Sequence, residues 1–576
     1  MWVYFRDYLM CGIWAKLGKK SEIISPDRWV QTLVARGPEG TKKLNITDNL
    51  FFAFTRLAIN GLNDAGMQPF QKNGITWMCN GEIYNARDIE KALGIEKHIS
   101  DCYCIGDLYL ANRNDLAAFA RALDGVFAFV LYDQELNRLV VGRDPYGVRP
   151  LYVGTRLKAN VVVGTVLGAP SSLFSYSNES AVFASELKAI MPFYEIVSPF
   201  PPGHIQTFDA TTNSIMSDIE YHTIPWITHP DYRASEPHSL QSAAEALRYA
   251  LEESVKKRML TERPCAALLS GGLDSSLIAA LVQKNLKQLG LPSLKTFSIG
   301  FSGSADLAHA RIVADHIGSD HTEIVMTPDD FFKAIPRVVT AIESCDTTTV
   351  RASVGNYLIA EQISKQTDCK VVFNGDGSDE LFGGYLYFYN APNDIAFHSE
   401  TGRLLKDIHY FDVLRSDRCI SSHGLEARTP FLDKQFVSVV RSIDPALLRP
   451  LKGERVEKYI LRYAFDDGIT LPKEVLWRRK EAFSDGVSTP QKSWYQEIKE
   501  RVEEIVPSNW ETKALLQYCT WLPVRTAEEY YYRSLFVMTY GLAAVRIALP
   551  YRWMPRWCPE TNDPSARTLA QYTDSA

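Results

Sequence analysis

The sequence predicts two folds in one chain: an α+β layer fold over residues 11–208 and an α/β fold on a parallel sheet over residues 239–555. Three observations predict this. The first half holds many short strand-like runs, such as Val126–Tyr132 and Arg138–Val141, and few long helices. The second half alternates strand and helix: strand Cys265–Leu269, helix Asp274–Leu289, strand Thr296–Phe301, helix Asp306–Ile317, strand Thr322–Met326 and strand Lys370–Asn374. Such βα units imply a parallel sheet with its ligand at the carboxyl ends of the strands. Between the halves lies a linker, 209–238, whose polar, Pro-bearing part runs from Ile224 to Ser239. Phe200–His204 is a turn, Arg156–Ser180 a hairpin insertion without chemistry, and 556–576 a C-terminal tail.

Composition narrows the function classes. A chain of 576 residues exceeds one hydrophobic core, so two to four domains are expected. A net charge of −6 and a pI near 6.1 argue against nucleic acid or an anionic membrane as partner. Every apolar run is shorter than the roughly 20 residues a membrane helix needs. The start, Met1–Met10, carries Arg6 and Asp7 among aromatics and lacks the apolar core of a signal peptide. Ten scattered cysteines, with only Cys102 and Cys104 close together, suit a reducing cytoplasm better than a disulfide framework or a metal knuckle.

Leu268-Leu269-Ser270-Gly271-Gly272-Leu273-Asp274-Ser275-Ser276 turns an apolar strand into a helix through two glycines. Backbone N–H groups, the helix dipole and the hydroxyls of Ser270, Ser275 and Ser276 together favour a phosphate, without the lysine of a Walker loop. A plain strand–turn–helix supplies two glycines and a serine by chance, but seldom this whole string. It resembles the pyrophosphate loop of ATP pyrophosphatases, which cleave ATP to AMP and pyrophosphate. A second cluster, Asn374-Gly375-Asp376-Gly377-Ser378-Asp379-Glu380, sets three carboxylates within five residues after a buried strand. Such carboxylates repel one another and are tolerated where cations neutralise them, so Mg²⁺ bridging nucleotide phosphates is the expected partner. A lone string of this kind is as readily a solvated acidic turn; the serine–glycine loop upstream tips the balance. Lys458 and Lys480 can hold a departing pyrophosphate by charge, although either alone reads as a surface residue.

The amino-terminal half carries Cys11-Gly12-Ile13, Arg56-Leu57, Asn80-Gly81-Glu82-Ile83-Tyr84-Asn85, Ser100-Asp101-Cys102 and Gly142-Arg143-Asp144-Pro145-Tyr146-Gly147. A thiol nucleophile needs a base and an oxyanion hole. No histidine is suitably placed, but the α-amino group of an N-terminal cysteine, with a pKa of about 8, can serve as its own base. Asn80 and the Gly81 N–H can form the oxyanion hole, while Arg56 and Asp101 can grip the α-carboxylate and α-amino groups of an amino acid.

In this order, from Cys11 to Asp563-Pro564-Ser565, the motifs resemble the glutamine-hydrolysing asparagine synthetases nearly end to end. The resemblance implies an αββα N-terminal-nucleophile glutaminase followed by an ATP-pyrophosphatase-type synthetase. Ammonia released from glutamine would travel an intramolecular tunnel to β-aspartyl-AMP, giving asparagine, AMP and pyrophosphate. By motif match Cys11 is the nucleophile, and Arg56, Asn80, Gly81, Glu82 and Asp101 bind glutamine. Leu268, Ser270, Gly271, Gly272, Asp274, Ser275, Ser276, Ile299, Asn374 and Gly375 line the ATP site, and Asp376 acts on the intermediate. Asp274 and Asp379 hold Mg²⁺–pyrophosphate with Lys458 and Lys480. Partners are then the small molecules aspartate, glutamine and ATP in the cytoplasm, with a homodimer left open.

The chain departs from the family pattern in three places. Residues 1–10 precede the cysteine, Asp376 stands where the family has Glu, and Ala35 where a His is usual. For the leader, translation starting at Met10, removal of a short propeptide, and a retained leader with a dead glutaminase stay open. The last of these leaves an ammonia-dependent synthetase. Adenylation of another carboxylate, as in β-lactam synthetases and lasso-peptide cyclases, and a non-catalytic scaffold are the competing readings. Glu426–Asp433 and Lys480–Gly486 match the aspartate enzymes, and the intact charged clusters argue against a scaffold.

Overall fold

The computed structural model describes residues 11–18, 26–157, 178–191, 194, 196–224, 239–481, 486–488, 492–518, 521–559, 561, 563–565 and 569. The leader 1–10, the interior of the expected insertion, the linker from 225 to 238, residues 482–485 of the Lys480–Gly486 motif and most of the tail lie outside the described residues. The chain divides into two compact units, Met1–Thr223 with Ser421–Gly424, and Ile224–Ile420 with Leu425–Ala576.

In the first unit the described strands are β1 (Gly12–Gly18), β2 (Thr41–Thr47), β3 (Leu50–Thr55), β4 (Phe70–Lys72), β5 (Ile75–Ile83), β6 (Gly125–Asp133), β7 (Arg138–Arg143), β8 (Tyr152–Leu157), β9 (Asn178–Ala184), β10 (Ile196–Pro199), β11 (His204–Asp209) and β12 (Ile215–Glu220). They form two six-stranded antiparallel sheets, ordered β10-β8-β9-β1-β3-β2 and β12-β11-β7-β6-β5-β4. Period-two alternation assigns the faces. Met78, Ala128, Val130 and Tyr132 join Ile13, Ala15, Phe52 and Phe54 in the core between the sheets. Their sequence neighbours Trp77, Cys79, Phe127, Phe129 and Leu131 face away, onto helices Ala86–Leu93, Cys104–Ala111 and Leu116–Ala122. Helix Pro26–Leu33 covers β1 and β3 on the far side of the other sheet, so the layers run αββα. The αββα expectation holds. β8 and β9, which flank the expected insertion, pair antiparallel.

The second unit holds five parallel strands in the order β15-β14-β13-β16-β17: β13 (Cys265–Leu268), β14 (Lys295–Gly300), β15 (Asp320–Val325), β16 (Val371–Phe373) and β17 (Glu426–Arg428). The chain winds outward in one direction from β13 through β14 to β15, then returns to β16 on the other side. The gap between β13 and β16 is therefore the switch point, where loops leaving adjacent strands part and a ligand crevice opens. Both motif loops, 269–272 and 374–377, leave the sheet there. The sequence located four strands to within two residues and did not resolve β17. That strand has three residues, two of them charged. Arg428 is fully buried, donating to Glu426 Oε1 at 2.7 Å and to the carbonyls of Arg258 and Leu260. Arg258 in turn pairs with Asp433 at 2.7 Å, so much of the Glu426–Asp433 motif is buried architecture.

Candidate active sites

The crevice of the second unit is lined by Leu268, Ser270, Gly272, Asp274, Ser275 and Ile299 from one side of the switch point, and by Asn374, Gly375, Asp376, Asp379 and Glu380 from the other. The two loops touch. A Cβ on residue 375 would lie 2.8 Å from Asp274 Cβ and 2.9 Å from Ser275 N, so only glycine fits between them. Ser270 and Ser275 hydroxyls are 3.0 Å apart, and the Gly272 N–H points at Ser270 Oγ at 3.4 Å, which pins the loop at the start of helix Leu273–Gln288. Two predicted lining residues are displaced from the crevice. Gly271 turns at φ 68° with its Cβ position filled by His309, and Ser276 is fully buried in its helix.

Lys458 enters between the loops. Its Nζ lies 2.6 Å from Asp274 Oδ2 and 2.7 Å from Asp379 Oδ1, while Lys480 Nζ lies 2.6 Å from Asp379 Oδ2. Ser378 Oγ donates to Asp274 Oδ1 at 2.8 Å. Lys458 is fully buried and adopts φ 57°, an uncommon conformation for a side-chain-bearing residue and one that packing must enforce. Burial pushes the Asp379 carboxyl up, and the two ammonium groups more than reverse this, leaving it well below the usual range. Lys480 is pulled down by burial, and Asp379 and Asp274 raise it above its ordinary value.

Protein cations already neutralise part of the acidic cluster. Asp379 is held by two lysines, and Asp376 Oδ1 by Arg415 at 2.8 Å. Glu380 accepts from Tyr385 and shares a contact with Asp412, and burial and Asp412 raise its pKa well above the usual carboxylate range. Burial also raises Asp376, against the pull of Arg415. No group of three or more His, Cys, Asp or Glu that could hold a metal occurs among the described residues. The donor set Asp274 plus Asp379 still fits a Mg²⁺ that arrives with phosphates, since that ion takes one or two protein carboxylates and completes its shell with phosphate and water.

On the Ser270 side of the crevice, Arg478 donates to Asp306 at 2.8 Å and reaches the Ser270 carbonyl at 3.5 Å. Burial lifts Asp306 to about 6 in spite of that arginine. Arg415, Asp412, Tyr385 and Arg478 were invisible as site residues in the sequence. Tyr385 and Arg478 flank the acidic string and the Lys480 motif without belonging to either, Asp412 and Arg415 lie away from both, and folding brings all four in.

In the first unit, Cys11 immediately precedes β1 and packs partly buried against the inter-sheet core. Its thiol donates to Leu57 O at 3.3 Å and receives the Leu57 N–H at 3.4 Å, next to Arg56. Buried Arg36 donates to the Cys11 carbonyl at 3.0 Å and pairs with Glu186 at 2.9 Å, so a residue without a predicted role fixes the Cys11 backbone. Arg56 binds the Asn63 carbonyl at 2.7 Å and that of Gly61. Asn80 is buried, and its Nδ2 has no hydrogen-bond partner among the described residues, as a donor kept for a substrate would. Asp101 Oδ2 accepts the Ile83 N–H at 2.7 Å, and Glu82 Oε2 accepts from Asn60 Nδ2 at 2.7 Å. The Gly142–Gly147 motif is structural: Asp144 accepts the N–H groups of Tyr146, Val148 and Arg149, and Arg143 donates to three carbonyls.

Comparison with known proteins agrees with both halves. The family described as Asparagine synthase matches residues 246–396 and 392–539, and the family described as Glutamine amidotransferase domain matches residues 10–222. The chain is 39% identical to the asparagine synthetase (glutamine-hydrolyzing) of Gallus gallus, covering 98% of this chain and 99% of that protein. It is 38% identical to that of Rattus norvegicus, covering 98% and 100%, and 39% identical to that of Homo sapiens, covering 98% and 99%.

Proposed function

From the premise that the chain belongs to the family of the glutamine-hydrolysing asparagine synthetases, we propose how its two sites divide the reaction. The enzyme is a ligase that uses ATP to make asparagine, with glutamine as nitrogen source. The glutaminase runs from residue 11 through β12 to Thr223, past the boundary at 208 expected from the sequence and into the expected linker, and residues 239–555 carry the synthetase. The Cys11 thiolate attacks the glutamine amide carbon, with its own α-amino group taking the thiol proton and passing it to the departing ammonia. Asn80 Nδ2 and the Gly81 N–H stabilise the oxyanion. Arg56 holds the α-carboxylate of glutamine, and Glu82 with Asp101 the α-ammonium. Water then releases glutamate from the thioester.

In the synthetase the side-chain carboxylate of aspartate attacks the α-phosphorus of ATP and pyrophosphate leaves. Leu268 and Ile299 give the adenosine an apolar wall, and Ser270, Gly272 and Ser275 hold phosphate at the helix start. Lys458 and Lys480 take the charge of the departing pyrophosphate. Mg²⁺ held by Asp274 and Asp379 would supply further charge neutralisation there. Ammonia then attacks the β-aspartyl-AMP carbonyl, Asp376 accepts the proton the nitrogen sheds, and AMP departs. The observation that carries this reading is Lys458 seated between Asp274 and Asp379 where the two motif loops part. We also place the enzyme in the cytoplasm, without nucleic acid or membrane as partner, and leave a homodimer open. No helix among the described residues is long and apolar enough to cross a membrane.

The test is isotopic. With ¹⁸O in the side-chain carboxylate of aspartate, one labelled oxygen should appear in AMP, because the P–O bond formed in the first step survives while the C–O bond breaks in the second. Unlabelled AMP would rule out the adenylate. Failure of aspartate to trigger pyrophosphate release would favour a different carboxylate.

A further inference from the structure

Asn60 lies outside every motif of the chain, on the segment that follows Arg56-Leu57. Its side-chain Nδ2 donates to Glu82 Oε2 at 2.7 Å and reaches Asp101 Oδ1 at a longer 3.4 Å. Glu82 and Asp101 are each less than 5% exposed and come from different elements, β5 and the turn at Asp101–Tyr103. Two carboxylates brought together under the surface repel each other, and neither can be left without a donor. A primary amide solves this with one nitrogen, since its two N–H bonds can serve one acid each and it brings no charge of its own. A lysine here would neutralise the pair and occupy the place of an incoming ammonium. An aliphatic side chain would leave the two acids to separate.

We propose that Asn60 is a positioning residue of the glutamine pocket: its carboxamide spaces Glu82 and Asp101 so that the pair converges on the α-ammonium of the substrate. The proposal rests on the reading of Glu82 and Asp101 as the ammonium-binding acids. It makes Asn60 a determinant of selectivity for a free amino acid over an N-blocked amide, without any contact to the reacting atoms. The Ile83 N–H on Asp101 Oδ2 fixes one acid from the backbone, and Asn60 then sets the other relative to it.

The experiment measures glutamine hydrolysis by the full-length enzyme, with Asn60→Ala and Asn60→Asp compared against Glu82→Gln and Asp101→Asn. Asn60→Ala should raise KM for glutamine about tenfold with kcat nearly unchanged, the mark of lost binding that is uniform between ground and transition states. Asn60→Asp should raise KM further at pH 8, because a third carboxylate joins the pair. The gap between the two variants should close on acidification, as the new carboxyl takes a proton and becomes a donor again. A residue that only supports the fold would give neither the KM-only effect nor that pH signature. Melting temperature and ammonia-dependent synthesis serve as folding controls. If the Glu82 and Asp101 variants raise KM while both Asn60 variants keep the parental value, the proposal fails and the reading of the pocket stands. If the Glu82 and Asp101 variants also leave KM unchanged, the reading itself fails and takes the proposal with it.

Discussion

Lys458 reaches Asp274 and Asp379 only because residue 384 lacks a side chain. A Cβ there would sit 2.1 Å from Asp379 Oδ1 and 2.2 Å from Lys458 Cε. Gly384→Ala should therefore push the lysine off its two carboxylates. Synthesis from either nitrogen source should fall by roughly 10²-fold or more, since a displacement of about 1 Å in a charge-stabilising group has that effect. Glutaminase activity in the same preparation should persist, and a Gly384→Ala enzyme with parental synthesis would dismiss Lys458 from catalysis. The neighbouring Asp376 makes a sharper distinction. Paired with Arg415 and raised by burial, it is suited to accept a proton from a substrate rather than to bind a cation. Asp376→Asn should depress the aspartate-dependent exchange of labelled pyrophosphate into ATP. Asp376→Glu should be tolerated, because the longer side chain is the one usual in the family. Unchanged exchange in the Asn variant would leave Asp376 a purely structural partner of Arg415.

At the scale of elements, helix Ala305–Ile317 brings Asp306 in its first turn to the crevice rim, where Arg478 is tied down. The carboxyl titrates at about 6, lifted mainly by burial. As pH falls from 8 towards 5, Asp306 takes a proton and Arg478 loses its shorter carboxylate partner, keeping only Glu481 at 3.4 Å, so synthetase activity should decline with an apparent pKa of about 6. The stability effect has the opposite sign. A carboxyl whose folded pKa is raised stabilises the fold fully below its unfolded value near 4, and that contribution is lost as pH rises through 6. Acid loss of activity by this route therefore comes without a drop in melting temperature. The check is a pair of pH profiles, wild type against Asp306→Asn, and an unaltered acid limb in the variant would assign the decline elsewhere. The same helix illustrates what the sequence could disclose. Its strand–helix alternation, the glycine loop and the acidic string are local signals, and they suffice to place both loops at strand ends. Arg478, Arg415 and Asn60 carry no local signal, because their roles arise from burial beside residues distant in sequence. β17 failed for a related reason: a three-residue strand with buried ion pairs lacks the apolar run by which central strands are recognised.

For the whole molecule, the division of labour is separable by mutation. Cys11→Ala removes only the attack on glutamine, so glutamine-dependent synthesis should vanish while synthesis from added ammonium continues. Asp379→Asn should do the reverse, stopping asparagine formation from both nitrogen sources by roughly 10²–10³-fold while glutamine is still hydrolysed. Equal loss of both activities in a folded Cys11→Ala enzyme would refute the two-site division. The glutaminase half makes a further demand on the chain. A residue attached to the nitrogen of Cys11 turns its amine into an amide, which is not basic near neutral pH, and the proposed base disappears. The Cys11 thiol already sits against Leu57, beside Arg56, and Arg36 holds its carbonyl, so the remaining requirement is a free amino group. An enzyme that hydrolyses glutamine by this base should therefore begin at Cys11, either through translation from Met10 with removal of that Met or through loss of residues 1–10 as a propeptide. Mass-spectrometric sequencing of the native amino terminus, paired with a glutaminase assay on the same sample, decides the matter. Met1 retained together with full glutamine hydrolysis would exclude the α-amino group as base. Met1 retained with no hydrolysis, and full synthesis from ammonium, would identify an ammonia-dependent enzyme instead.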